Sequence, residues 1–239
     1  MCGRYSLTSP AEAVRRLFGY PQRPNLAPRA NIAPTQDVAA VRPSGGEEGE
    51  EGARQFAWLR WGLIPAWAAE PAIGNRLINA RAESVAEKPA FRAAFRRRRC
   101  LIAADGFYEW SSEGGGRQPY RITLADGGPF AFAGLWERWT KAPDGRAIET
   151  CTIITTEANA LLRPIHKRMP VILDPADFEL WLDPRCDPAE ARSLLTAFPS
   201  EALTFYRVSR RINDPRNEDP SLVEPIEAPP AAAKRPGPS

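Results

Sequence analysis

Cys100-Leu101-Ile102-Ala103-Ala104, followed by Asp105-Gly106-Phe107-Tyr108-Glu109-Trp110, is the stretch on which the fold turns. The apolar run 100–104 reads as a strand, and the segment behind it sets a carboxylate, Glu109, between aromatic residues. Comparable runs rich in aromatic and β-branched residues lie at 38–42, 55–61, 119–124, 130–136, 150–155, 170–173 and 204–208. Helices are fewer and short. Ser9-Pro10-Ala11-Glu12 has the pattern of a capping box with Pro at the first helical position, and Val14, Leu17 and Phe18 share a face before Gly19 ends the helix. Ser84-Val85-Ala86-Glu87 repeats the pattern ahead of Phe91 and Phe95, Asp174 caps a helix reaching Leu182, and 188–198 reads as one more. Strands outnumber helices and do not alternate with long ones. The predicted class is therefore α+β, a largely antiparallel, curved or barrel-like sheet with flanking short helices.

These elements form one expected domain over 2–226. Ser44–Ala53 (SGGEEGEEGA), acidic and glycine-rich, reads as a disordered loop between strands, and the tail 227–239 as disordered. The 239 residues contain no apolar run of membrane-spanning length, and Met1-Cys2-Gly3-Arg4-Tyr5 has no apolar signal region, so the expectation is a cytoplasmic protein with no membrane partner. Net charge is only +3, but Lys88, Lys141, Lys167 and Lys234 are the sole lysines among 32 basic residues. Arginine suits phosphate and base stacking, although genomic base composition produces the same bias. The four cysteines, Cys2, Cys100, Cys151 and Cys186, show no CxxC spacing, and His166 is the one histidine, which argues against a zinc site; no metal or cofactor is expected.

Candidate chemistry begins at Cys2. Once Met1 is removed, residue 2 carries an α-amine and a thiol with typical pKa values of ~7.7–8.0 and ~8.5, so both have usable unprotonated fractions near neutrality. Such a pair captures an aldehyde as a Schiff base that closes to a thiazolidine, and it equally serves acyl transfer with the amine as base. His166, between Pro164 and Pro170 and beside Lys167 and Arg168, is a candidate proton shuttle. Glu109 between aromatics is a candidate general acid/base. Asn79 can hydrogen-bond a substrate oxygen, and Arg81 can bind phosphate. Trp58, Trp61, Trp67 and Trp110, interleaved with Arg60, Arg76 and Arg81, have the make-up of a stacking platform for nucleic acid. Each has an ordinary reading as well: an incidental cysteine, a satisfied histidine, a strand-end glutamate facing water, core tryptophans. Arg96–Arg99 reads as a solvated helix end.

The order of the blocks is more specific than any one of them. Cys2-Gly3-Arg4-Tyr5, Asn31-Ile32-Ala33-Pro34, Trp61-Gly62-Leu63-Ile64-Pro65-Ala66-Trp67, Asn79-Ala80-Arg81-Ala82-Glu83, Asp105–Trp110 and His166-Lys167-Arg168-Met169-Pro170 together resemble the SRAP (SOS response-associated peptidase) family over roughly 2–226. The resemblance implies a β-barrel-like domain that senses and shields abasic sites in single-stranded DNA through a covalent thiazolidine at Cys2. It implies Glu109 as acid/base in formation and reversal, His166 in sugar-ring opening, and Asn79 holding the sugar or the N-terminus. Arg4, Arg81 and Arg168 would hold phosphates, and Asn31, Pro34 and Trp67 would line the groove. Lys167 departs from the family pattern, where an acidic residue is usual. The implied location is the cytoplasm, at the nucleoid when DNA is bound, and a monomer suffices. The competing reading is a cysteine-type peptidase or autoprotease using Cys2 with His166 or Glu109; a DNA-binding module without covalent chemistry is the third.

Overall fold

The computed structural model describes residues 2–44, 53–112 and 116–226. Five strands close on themselves: β3 (Asp37–Pro43), β4 (Arg54–Trp61), β6 (Arg99–Ala104), β9 (Phe130–Trp139) and β10 (Ile148–Glu157). β3 pairs antiparallel with β4 and β6, β6 with β9, and β9 with β10, and a parallel contact of Thr150–Cys151 with Arg60–Trp61 joins β10 back to β4. The ring is therefore a barrel, as the strand content predicted. Against it lies a second sheet in the order β13 (Leu203–Arg207), β8 (Gln118–Leu124), β7 (Gly106–Ser111), β1 (Tyr5–Leu7), β2 (Arg29–Ile32). The two layers share one core, in which Tyr5 of β1 and Phe107 of β7 pack edge-on against Phe132 of β9 and Tyr5 also meets Trp61 of β4. Edge-to-face geometry adds to the area these rings remove from water.

All eight predicted strand regions form strands, with 170–173 dividing into β11 (Arg168–Pro170) and β12 (Ile172–Leu173). Val171 between them is the crossing point: its N–H bonds Ile154 and its carbonyl accepts from Ala133. β1, β2, β7 and β5 (Asn79–Arg81) were not foreseen. Helix α1 (Ala11–Phe18) ends at Gly19 with φ 68, as expected. Its capping box does not form: Ser9 turns its hydroxyl and N–H to Asp105 instead. Nor does Ser84 act through its side chain; its carbonyl accepts from Glu87 and Lys88 in a series of turns, and α2 (Arg92–Arg97) starts later. Asp174 caps as predicted, accepting from Ala176 ahead of α3 (Phe178–Leu182). The last helix, α4 (Pro188–Ser193), stops short of 198, and beyond it Asn159 donates to the Phe198 carbonyl at 2.8 Å.

Ser44 and Ala53 are joined by a hydrogen bond at the end of the β3–β4 ladder, so the acidic insertion does connect two strands. The insertion between them and the tail from 227 lie outside the described residues. Among the described residues no helix is long and apolar enough to cross a membrane.

Candidate active site

β10 gathers the site because it changes neighbours along its length. β4 leaves it at Cys151, and β5 takes over in parallel register at Ile153–Thr155. On its other edge β9 leaves at Ile153, and β11 takes Thr155–Glu157. Asn79 and Arg81 thus arrive on one side of β10 and the His166–Arg168 turn on the other. Thr155 ties them: its hydroxyl reaches the Ala80 carbonyl and accepts from Arg168, while its carbonyl takes Ala82 N–H and a guanidinium N–H of Arg168.

The second sheet supplies the rest. β1 pairs antiparallel with β7 at Tyr5↔Phe107, and the ladder continues toward the N-terminus with Tyr108 N–H donating to the Arg4 carbonyl at 3.0 Å. That register sets Gly3 across from Glu109 and brings Cys2 alongside. The Cys2 carbonyl accepts a 2.8 Å hydrogen bond from Asn79 Nδ2, joining the two sheets at the chain end. Among the described residues Asn79 Oδ1 is buried with no hydrogen-bond partner, an acceptor beside Cys2.

Cys2 is wholly buried, and burial, reinforced by the negative charge of Glu109, pushes its thiol far above the usual range. Glu109 is not a strand-end residue facing water; it is internal to β7 and 5% exposed. Burial raises its pKa, and His166 partly opposes the shift. Oε1 of Glu109 lies 3.9 Å from His166 Nδ1. That nitrogen lies 3.0 Å from both the backbone N–H and the carbonyl oxygen of Arg168, so either ring tautomer finds a backbone partner there. Four residues distant in sequence, Cys2, Asn79, Glu109 and His166, therefore meet where the two sheets join.

The expected DNA contacts divide. Arg81 is exposed, Pro34 half-buried and Trp67 57% exposed, its indole N–H near the Pro89 carbonyl. Asn31 is no groove residue. It is completely buried, its amide donates to the carbonyls of Ile212, Asp214 and Asn217, and its oxygen accepts from Arg4. Arg4 is half-buried in the same network and also reaches the Ile212 carbonyl. Arg168 is turned onto Glu83 and Thr155. Of the tryptophans, Trp61 is core and Trp110 donates to Asn213, which leaves Trp58 and Trp67 as the exposed pair. Arg96–Arg99 is not a solvated face throughout: Arg98 pairs with Glu137, and Arg99, at 2% exposure, spends its guanidinium on the carbonyls of Phe95, Arg96, Trp181 and Asp183.

Sequence reasoning also missed a support. Asp105 accepts from Ser6, Thr8 and Ser9 and pairs with Arg121 at 3.0 Å, locking the end of β1 to the start of β7. Its only sequence signal was membership of the block that carries Glu109.

A model of the family described as SOS response associated peptidase (SRAP) matches residues 1–215. The chain belongs to the SRAP family. Among its SRAP relatives, "Abasic site processing protein YoqW" of Bacillus subtilis (strain 168) is 41% identical over 229 residues, covering 94% of this chain and 99% of the relative. "Abasic site processing protein HMCES" of Gallus gallus is 30% identical over 265 residues, covering 95% and 78%. A crystal structure of a Bacteroides thetaiotaomicron protein superposes with a TM-score of 0.84 at 29% identity, covering 95% of this chain and 100% of that one. The SRAP match spans every block converging on Cys2.

Proposed function

We propose that this protein processes abasic sites in single-stranded DNA by attaching itself to them through Cys2. With Met1 removed, the α-amine of residue 2 condenses with the ring-opened aldehyde, releasing water and forming a C=N bond. The thiol then adds across that bond: sulfur bonds to carbon, its proton passes to nitrogen, and a thiazolidine closes without oxidation or reduction. Glu109 carries the proton needed to expel water and returns it in the reverse direction. His166 serves the opening of the sugar ring. Asn79 fixes the nucleophile through the Cys2 carbonyl. Arg81 and Arg168 address phosphates, while Arg4 holds the scaffold through Asn31 and Ile212, and Trp67 offers an exposed face to a base. The protein acts as a monomer in the cytoplasm, at the nucleoid while attached.

The observation that carries this reading is the meeting of Cys2, Asn79, Glu109 and His166 at one end of β10. The names of the SRAP relatives support the substrate.

The test incubates protein with a verified Cys2 N-terminus and a single-stranded oligonucleotide carrying one abasic site, then runs a denaturing gel. A band of reduced mobility that survives detergent is expected, absent for Cys2→Ala and slow to form or reverse for Glu109→Ala. Repeated peptide cleavage with no trapped DNA would overturn the proposal in favour of the peptidase.

A further inference from the structure

The proposed site contains its own anion. Arg168 is held on its inner side by Thr155, whose hydroxyl accepts from Nε at 3.3 Å and whose carbonyl accepts from Nη2. On its outer side Nη1 and Nη2 each reach one carboxylate oxygen of Glu83 at 3.1 Å, a two-pronged contact. The Arg168 side chain is 16% exposed and that of Glu83 49%, so the carboxylate forms the solvent-facing half of the pair. Glu83 is fixed from behind as well, since Arg192 donates to its carbonyl at 2.9 Å. Burial alone would raise the Glu83 pKa, but the Arg168 hydrogen bonds and the charges of Arg168 and Arg81 leave it below the usual carboxylate range. An ionised carboxylate thus stands within the field of two arginines that the proposed function assigns to phosphates.

A guanidinium offers the same parallel pair of N–H groups to a phosphate as to a carboxylate. We infer that Glu83 is a selectivity residue, an internal phosphate surrogate that a DNA backbone must displace from Arg168. The inference rests on the reading under Proposed function and deepens it. Intact single strands, held by reversible contacts alone, compete with Glu83 at full cost. A strand tethered through its aldehyde at Cys2 competes intramolecularly, at high effective concentration. The carboxylate therefore lowers affinity for undamaged DNA while keeping Arg168 extended toward the strand.

The experiment measures binding of a fluorescent oligothymidylate without lesions, by anisotropy, from about 50 to 300 mM salt, a range over which phosphate contacts weaken steeply. Glu83→Gln should tighten binding by about two- to fivefold at the low-salt end, the range an exposed ion pair is worth, with a steeper salt dependence. The gain should vanish when Arg168→Ala is added. Glu87→Gln removes the same charge from a residue 73% exposed and 3.9 Å from Arg192, and it should change affinity little. Unchanged or weaker binding by Glu83→Gln, an equal gain from Glu87→Gln, a gain that survives Arg168→Ala, or no binding by any form would each overturn the inference. Thermal melting of every variant separates loss of fold from loss of contact. The lesion-crosslinking gel on wild type is a separate readout. Tightening here without crosslinking there rejects the covalent reading and keeps Glu83 as a surrogate; crosslinking without tightening does the reverse.

Discussion

Replacing Asn31 with alanine separates a strut from a DNA contact. The side chain is completely buried and makes four hydrogen bonds: 2.7 Å from Arg4, 2.9 Å to Asp214, 2.9 Å to Asn217 and 3.3 Å to Ile212. Each is worth ~0.5–1.5 kcal/mol net, more where a buried group is left without a partner. The losses are uneven. Asp214 and Asn217 are half-exposed and regain water, while the Ile212 carbonyl keeps Arg4 at 2.7 Å. Adding the four contacts with that relief gives about 2–4 kcal/mol. The effect should not stay local, because the segment beyond β13 is docked by the fully buried Val208, Ile212 and Leu222, each worth ~1.5–3 kcal/mol. Urea unfolding of Asn31→Ala against wild type measures the loss, and limited tryptic cleavage at the exposed Arg210, Arg211 and Arg216 reports release of the segment. Single-strand affinity, measured where the variant is folded, should fall far less than stability. A loss below about 1 kcal/mol with unchanged cleavage, or weakened DNA binding at full stability, would refute the strut.

Gly62→Ala should cost about 2 kcal/mol or more, since φ is 127 and a Cβ would stand 2.6 Å from the Gly74 carbonyl oxygen; a denaturation midpoint like wild type would contradict that backbone contact. For Asp105, burial opposes ionisation, but hydrogen bonds from Ser6 and Thr8 and the charge of Arg121 win and lower its pKa. A carboxylate with a depressed folded pKa adds stability above its unfolded pKa and loses it as pH falls through the folded value. Asp105→Asn should therefore be destabilised at neutral pH, with the gap to wild type closing in acid; a pH-independent gap would show that the charge is immaterial. Glu109 runs the other way. Its folded pKa is raised, so wild type loses stability as pH climbs from the ordinary carboxylate range through the folded value. Glu109→Gln should match wild type at pH near 4 and exceed it in chemical denaturation at pH near 8, and the reverse order would exclude a burial-raised carboxyl.

Much was legible without coordinates because it depends on neighbours in sequence. The long apolar strands, Gly19 at a helix end and the Asp174 cap follow from residue types a few positions apart. The ordered blocks marked the residues that converge on Cys2. What stayed hidden are the strands that carry them. β1, β5 and β2 have three, three and four residues, too short for alternation to register, and they exist because β7, β10 and β1 offer them a ladder. Ser9 has a helix N–H within local reach, yet its partner is Asp105, 96 residues on. Asn31, Arg99 and Arg168 are polar residues with surface-like signatures whose hydrogen bonds go to chain segments far away. By itself, then, the sequence determined the α+β class, the strand-rich core and which residue types are available for chemistry. Tertiary structure alone decided which of them stay exposed, which hold the scaffold, and that Arg168 already grips a carboxylate. The physical reason is that a polar group bonds whatever partner folding delivers to it, and that partner is rarely its neighbour in the chain.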